Sequence, residues 1–270
     1  MTTLPELAQQ VVLDRIRSRA EATPEVVGLL VLGSFATGEA DEFSDLDLGL
    51  YVAAEALGTF DLRGWLEAVA PVAMVVTNTY ASTVLFQDLV RAEIHFGSLE
   101  RANDWSTLVG IVAYPSLAHI VLLDRTGTLA DRVRPLIGHL PPRGAEDAIR
   151  EFSALVDSLL VADACRRRQE LARALAYLSS SHVPLLRLVR LSEGATDEWV
   201  APARRLERQL SRSAYERYAL TTALLADEQL RCAIAAAWQW GKELAASAGV
   251  NLPDEQVVRV IDRRLACPGP

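Results

Sequence analysis

Short apolar runs separated by turn residues fill the first half of the chain. Apolar residues at three- and four-residue spacing fill the second half. Val26–Leu32 is an almost unbroken apolar run and reads as a buried strand. Leu46–Val52 alternates, with Leu46, Leu48 and Leu50 on one side and Asp47 on the other. The same reading predicts strands at Val72–Thr77, Ser82–Phe86, 90–96 and 120–123. It predicts helices over 6–21 and near 62–69. This is an α/β or α+β layout around a modest sheet.

Pro141-Pro142-Arg143-Gly144 breaks that pattern, because two prolines and a glycine continue neither element. Beyond it the spacing predicts helices over 148–167, 169–193, 199–209, 215–225 and 228–247. Two domains are expected, 1–140 built on the sheet and 145–270 as a helical bundle.

Composition narrows the class. Half of the 270 residues are hydrophobic and 23% are charged, enough apolar surface for a real core. With 27 basic against 35 acidic residues the net charge is −8, which argues against a protein that wraps long nucleic acid. Lys242 is the only lysine, so the arginine excess reflects base composition rather than nucleic-acid binding. No apolar run reaches membrane-spanning length, and residues 1–6 lack the layout of a secretion signal. A cytoplasmic location is expected. Cys165, Cys232 and Cys267 are too scattered for a disulfide framework or a zinc site, and Cys165 and Cys232 read as small core residues.

The chemistry lies between residues 32 and 47. A buried strand ends in Gly33-Ser34, a short polar segment follows, and Ser44-Asp45-Leu46-Asp47 opens the next strand. Gly33 lets backbone amides approach phosphate oxygens, and Ser34 adds a hydroxyl. Asp45 and Asp47 stand at i and i+2, so both carboxylates leave one face of a strand and need a cation between them. Hard oxygen ligands beside phosphates favour Mg²⁺. In Arg91-Ala92-Glu93-Ile94-His95-Phe96, Glu93 shares a face with Arg91 and His95. A third acid brought beside the aspartates from another strand would suit two-metal phosphoryl or nucleotidyl transfer, as a ligand or as a general base.

Gly-Ser, a spacer and Asp-x-Asp resemble the signature of the nucleotidyltransferase superfamily that includes DNA polymerase beta and the antibiotic nucleotidyltransferases. The wider chain resembles the two-domain lincosamide nucleotidyltransferases. Gly33-Ser34-Phe35, Gly38-Glu39, the 91–96 segment, Asp124 to Leu129, Ala172 to Leu175 and Leu185 to Arg190 carry that likeness. The fold it implies is α+β, with an N-terminal polymerase beta-like mixed sheet, flanking helices and a C-terminal helical bundle. The activity it implies is transfer of AMP from ATP, with two Mg²⁺ ions, to a hydroxyl of lincomycin or clindamycin. Pyrophosphate is released and resistance conferred. The family's acids map onto Asp45, Asp47 and Glu93 as catalytic residues and metal ligands. Gly33, Ser34, Ser44 and Arg91 fall to the nucleotide. One family member carries glutamate at the position of Asp47. Partners are then a nucleoside triphosphate and a small hydroxylated antibiotic, with no long nucleic acid and no membrane. The apolar helices are compatible with a homodimer. Two rivals keep the chemistry and change the acceptor, to an aminoglycoside or to a protein.

Other residues take plainer readings. His119, His139 and His182 are too dispersed for a metal cluster, and Arg166-Arg167-Arg168 reads as a solvated helix end. Trp238 and Trp240 stand two apart on a helix, one for the bundle and one for an interface. Tyr80, Trp105 and Tyr114 suit core packing better than an acceptor pocket. Glu193, Asp197 and Glu198, near a predicted loop, are the acids the helical half offers an aminoglycoside site.

Overall fold

The computed structural model describes residues 7–78, 81–251 and 254–267, with the backbone alone at Asn103. The chain divides into two compact units between Leu140 and Pro141.

The first unit runs α1 (Ala8–Ala22), β1 (Val26–Leu32), α2 (Gly33–Thr37), β2 (Leu46–Val52), α3 (Leu62–Glu67), β3 (Val72–Thr77), β4 (Ser82–Phe86) and β5 (Arg91–Ser98). A 3₁₀ helix (Leu99–Leu108), α4 (Leu117–Ile120), β6 (Val121–Asp124) and α5 (Leu129–Val133) complete it. Six strands form one mixed sheet in the order β3-β4-β5-β2-β1-β6. Every pairing is antiparallel except β2 with β5, which is parallel. The α+β expectation holds.

Strand alternation sends side chains to two cores. Leu29 and Val31 of β1 join Leu46, Leu48 and Leu50 of β2 and Ala92 and Ile94 of β5, against Val12 and Ile16 of α1 and Leu66 of α3. Leu30, Leu32 and Tyr51 point to the opposite face, under Trp105, Tyr114, Ile120 and Leu129. The central strands are therefore covered on both sides, while Met74 and Val76 of the edge strand β3 are exposed. The end of β2 that carries its acids is open as well.

The second unit contains α6 (Ala145–Arg167), α7 (Leu171–Glu193), α8 (Leu206–Gln209), α9 (Arg212–Ala219), α10 (Asp227–Ser247) and α11 (Glu255–Leu265). Leu155, Leu159, Leu178, Leu185, Ile234 and Trp238 lie in its core. Several expectations are corrected here. The helix expected over 199–209 shrinks to α8, because Pro202 interrupts it and Arg205 sits at φ +55°. Arg190, fully buried, donates instead to the carbonyls of Ala195, Pro202 and Arg204 and to Gln209 Oε1. Trp238 and Trp240 are both buried, since α10 is packed on most of its circumference. Arg166 is not solvated. It is buried and joins Arg167 and Arg264 around Asp163, at 2.8 to 3.1 Å. Cys232 is paired with Cys267 in a disulfide, with Cα atoms 5.0 Å apart, while Cys165 is buried and free. No helix among the described residues is long and apolar enough to cross a membrane.

Candidate active site

The open end of β2 holds the expected acids. In the parallel ladder Asp47 is the direct partner of Glu93, and Leu46 of Ala92. Asp47 and Glu93 therefore leave the sheet side by side on one face. Asp45 stands two residues before Asp47, just ahead of the strand. Sequence alternation placed each acid on its face. The parallel pairing, which alternation does not disclose, brings them together.

Arg91 lies among them. Its guanidinium contacts Asp45 and reaches Glu93 Oε2 at 3.2 Å. His95 Nε2 lies 3.8 Å from Glu93 Oε1. Burial, followed by the charges of Asp45 and Glu93, pushes the Asp47 carboxyl up to about 6, with Arg91 opposing the shift. The fold thus holds three carboxylates where one of them resists ionisation. Oxygen-only donors with surplus negative charge suit a hard divalent cation such as Mg²⁺, so the residues present fit the expected metal.

Gly33 completes the floor. It begins α2 at φ +58°, and an added Cβ would stand 2.1 Å from Asp47 Oδ2. Both the left-handed backbone and the close approach demand glycine here. The Gly33 amide donates to Tyr114 Oη over 3.4 Å, so Tyr114 is a buried strut rather than a pocket wall. Ser34 follows in α2, which ends at left-handed Gly38. Ser44 is differently employed. Its hydroxyl donates to Asp41 Oδ1 at 2.9 Å and accepts from the Asp41 amide, which closes the turn before Asp45.

One supporting residue had no sequence signal. Gln9, a buried polar side chain on α1, donates to the carbonyls of Glu42 and Ser44, each at 2.9 Å. It pins the approach to Asp45. Trp105 is buried, donates through Nε1 to Tyr51 Oη, and meets the His95 ring edge-on at 4.8 Å between centroids. Tyr80 lies outside the described residues. Glu193 and Glu198 are not a free acidic cluster: Glu193 accepts from the Ser211 amide and hydroxyl, and Glu198 pairs with Arg204 and Arg205.

Comparison with known proteins adds the following. Residues 12–101 match a nucleotidyltransferase domain, and residues 144–258 match the lincosamide nucleotidyltransferase-like C-terminal domain. No curated protein matches the chain. A solved aminoglycoside 6-adenyltransferase from Bacillus subtilis is 13% identical with a TM-score of 0.43, covering 98% of this chain and 100% of that one. A nucleotidyltransferase-like protein from Exiguobacterium sibiricum 255-15 is 14% identical with a TM-score of 0.36, covering 89% and 77%.

Proposed function

We propose, for a chain that joins a nucleotidyltransferase domain to a lincosamide nucleotidyltransferase-like C-terminal domain and so has the make-up of a two-domain antibiotic nucleotidyltransferase, that it adenylylates a lincosamide. The donor is ATP, the acceptor a hydroxyl of lincomycin or clindamycin, and the other product pyrophosphate. The observation that carries the reading is the in-register pair Asp47 and Glu93, with Asp45 beside them.

Asp45, Asp47 and Glu93 would hold Mg²⁺, two ions in the full complement. Bound there, the metal supplies charge for the phosphates and acidity for the attacking hydroxyl. The chain supplies the rest. The acceptor oxygen forms a bond to the α-phosphorus while the bond to pyrophosphate breaks. Glu93 takes the hydroxyl proton in this reading and passes it to water. Arg91 exchanges its carboxylate partners for phosphate oxygens, to which a guanidinium binds equally well. The backbone at Gly33 admits phosphate closely, and Ser34 offers a hydroxyl. Ser44 acts at one remove, as a positioning residue that fixes the turn ahead of Asp45.

A polycationic aminoglycoside calls for unpaired acids. Of the three candidate acids, Glu193 and Glu198 are engaged within the helical unit, which leaves exposed Asp197 alone and supports the lincosamide over that rival. The test is incubation with Mg²⁺, ATP, lincomycin, clindamycin and several aminoglycosides, with products read by mass. An AMP adduct on a lincosamide is expected. An adduct only on an aminoglycoside, or only on protein in a lysate, would replace the acceptor and keep the chemistry.

A further inference from the structure

Beyond the carboxylates, the same face of the sheet continues into a cavity of about 250 Å³. Its walls include Tyr51, His95, Phe96, Trp105 and Thr107. The ladder gives its place: Asp47 pairs with Glu93, Gly49 with His95, and Tyr51 with Gly97. The cavity thus begins one residue pair past the acids, about 7 Å along the strands at ordinary strand rise.

Two glycines make the room. A Cβ on Gly49 would come within 3.0 Å of the Tyr51 ring, and one on Gly97 within 2.3 Å of Arg101 Cδ. Larger residues at either place would push a wall side chain aside. The Tyr51–Trp105 hydrogen bond and the edge-on Trp105–His95 contact fix the aromatic side. The lining carries one acid, Asp104, and one base, Arg101, whose Nη1 donates to the Phe96 carbonyl at 2.9 Å. It is aromatic and close to neutral.

We infer that this cavity receives the apolar, uncharged part of the acceptor and sets acceptor specificity, with Trp105 and His95 as its recognition surface and fully buried Tyr51 bracing Trp105 from behind. The inference rests on the transferase reading above and deepens it. Position separates acceptor from nucleotide. The Gly33-Ser34 turn lies at the end of β1, on one side of β2, while His95 and Phe96 lie on β5, on the other. In-line displacement sets the attacking hydroxyl and the departing pyrophosphate on opposite sides of the phosphorus. With the pyrophosphate end at the β1 turn, the acceptor falls on the β5 side. The cavity is smaller than a site that engulfs a drug-sized molecule, so it grips one portion and leaves the reacting hydroxyl at the acids.

The test fills the cavity from its exposed rim with Thr107→Trp, and with Thr107→Phe as the milder second variant. Calorimetry measures lincomycin binding and Mg²⁺-ATP binding separately, and product mass reports turnover. The inference expects lincomycin affinity to fall about tenfold or more in the Trp variant, with less loss in the Phe variant and ATP affinity held within about twofold. It is overturned if wild-type protein does not bind lincomycin, if the variants bind it as tightly as wild type, or if ATP binding falls instead, which would make the cavity a nucleobase site. Lincomycin that binds in the wild type and is lost in the variants without ever gaining AMP would support the cavity and overturn the transferase reading alone.

Discussion

Gly33 lies directly beneath the carboxylate of Asp47, so close that the backbone hydrogen where a methyl group would stand is all the space allows. Gly33→Ala should therefore disturb the reaction more than the fold. The left-handed φ costs alanine about 1 kcal/mol, and the collision displaces Asp47. Displacement on the scale of 1 Å is expected to lower kcat by about a hundredfold. Steady-state kinetics beside a melting curve will check this. A variant with wild-type kcat would remove Asp47 from the chemistry.

Asp47→Asn should abolish transfer and stabilise the metal-free protein. In the fold this carboxyl titrates at about 6 against an ordinary 3.8, so folding favours its protonated form. As pH rises, the unfolded chain gives up the proton first. Stability is therefore present below about pH 4 and lost on the way to about pH 6, by on the order of 1–2 kcal/mol once partial exposure to water is allowed for. Melting curves in chelator should show the variant's advantage growing across that window. Mg²⁺ should then raise the Tm of wild type and leave that of the variant nearly unchanged.

Arg91 holds the carboxylate oxygens that a bound metal would take. Arg91→Ala is expected to tighten Mg²⁺ binding to the free protein and to raise KM for ATP about tenfold, because a phosphate partner is gone. Calorimetry with Mg²⁺ alone and kinetics with varied ATP read the two effects separately. Weaker binding of both would mean that the guanidinium chiefly holds the acids in place.

Asp163 tests the helical unit. Nearly inaccessible, it gathers Arg166 and Arg167 of α6 and Arg264 of α11. Asp163→Ala removes the shared anion, but Arg166 keeps Asp227 and Arg167 and Arg264 are half exposed, so the cost is about 1–3 kcal/mol. Chemical denaturation should show that loss. Replacing Asp163 with Asn should recover part of it.

The strands β1 to β4 were legible because short apolar runs between turn residues have few other meanings, and the three acids were legible from alternation. What escaped was short or long-range. Gly33–Thr37 is too brief for helical spacing to register. α11 was legible and passed over: Val257, Val258, Ile261 and Leu265 keep helical spacing, with Arg259, Asp262 and Arg263 between them. Over 199–209 the apolar spacing was real, but Arg190 from another helix took the carbonyls. Cys232 and Cys267 stand 35 residues apart, and nothing local marks them as partners. Nothing local marks Gln9, whose acceptors beside Asp45 lie more than 30 residues away.

The single parallel pairing in the sheet also bears on how the protein assembles and comes apart. β1 with β2 and β3 with β4 and β5 are two antiparallel blocks, each closed by neighbouring segments, and β2–β5 is the seam between them. Asp45 and Asp47 belong to one block, Glu93 and Arg91 to the other, with Asp45 and Arg91 46 residues apart. No hairpin can zip such a seam, because its partners stand 46 residues apart, a separation exceeded in the sheet by that of β1 and β6. It is a long-range joint at which like charges must also meet. A cation or nucleotide that bridged the acids would act as a rivet across the seam and slow the parting of the two blocks.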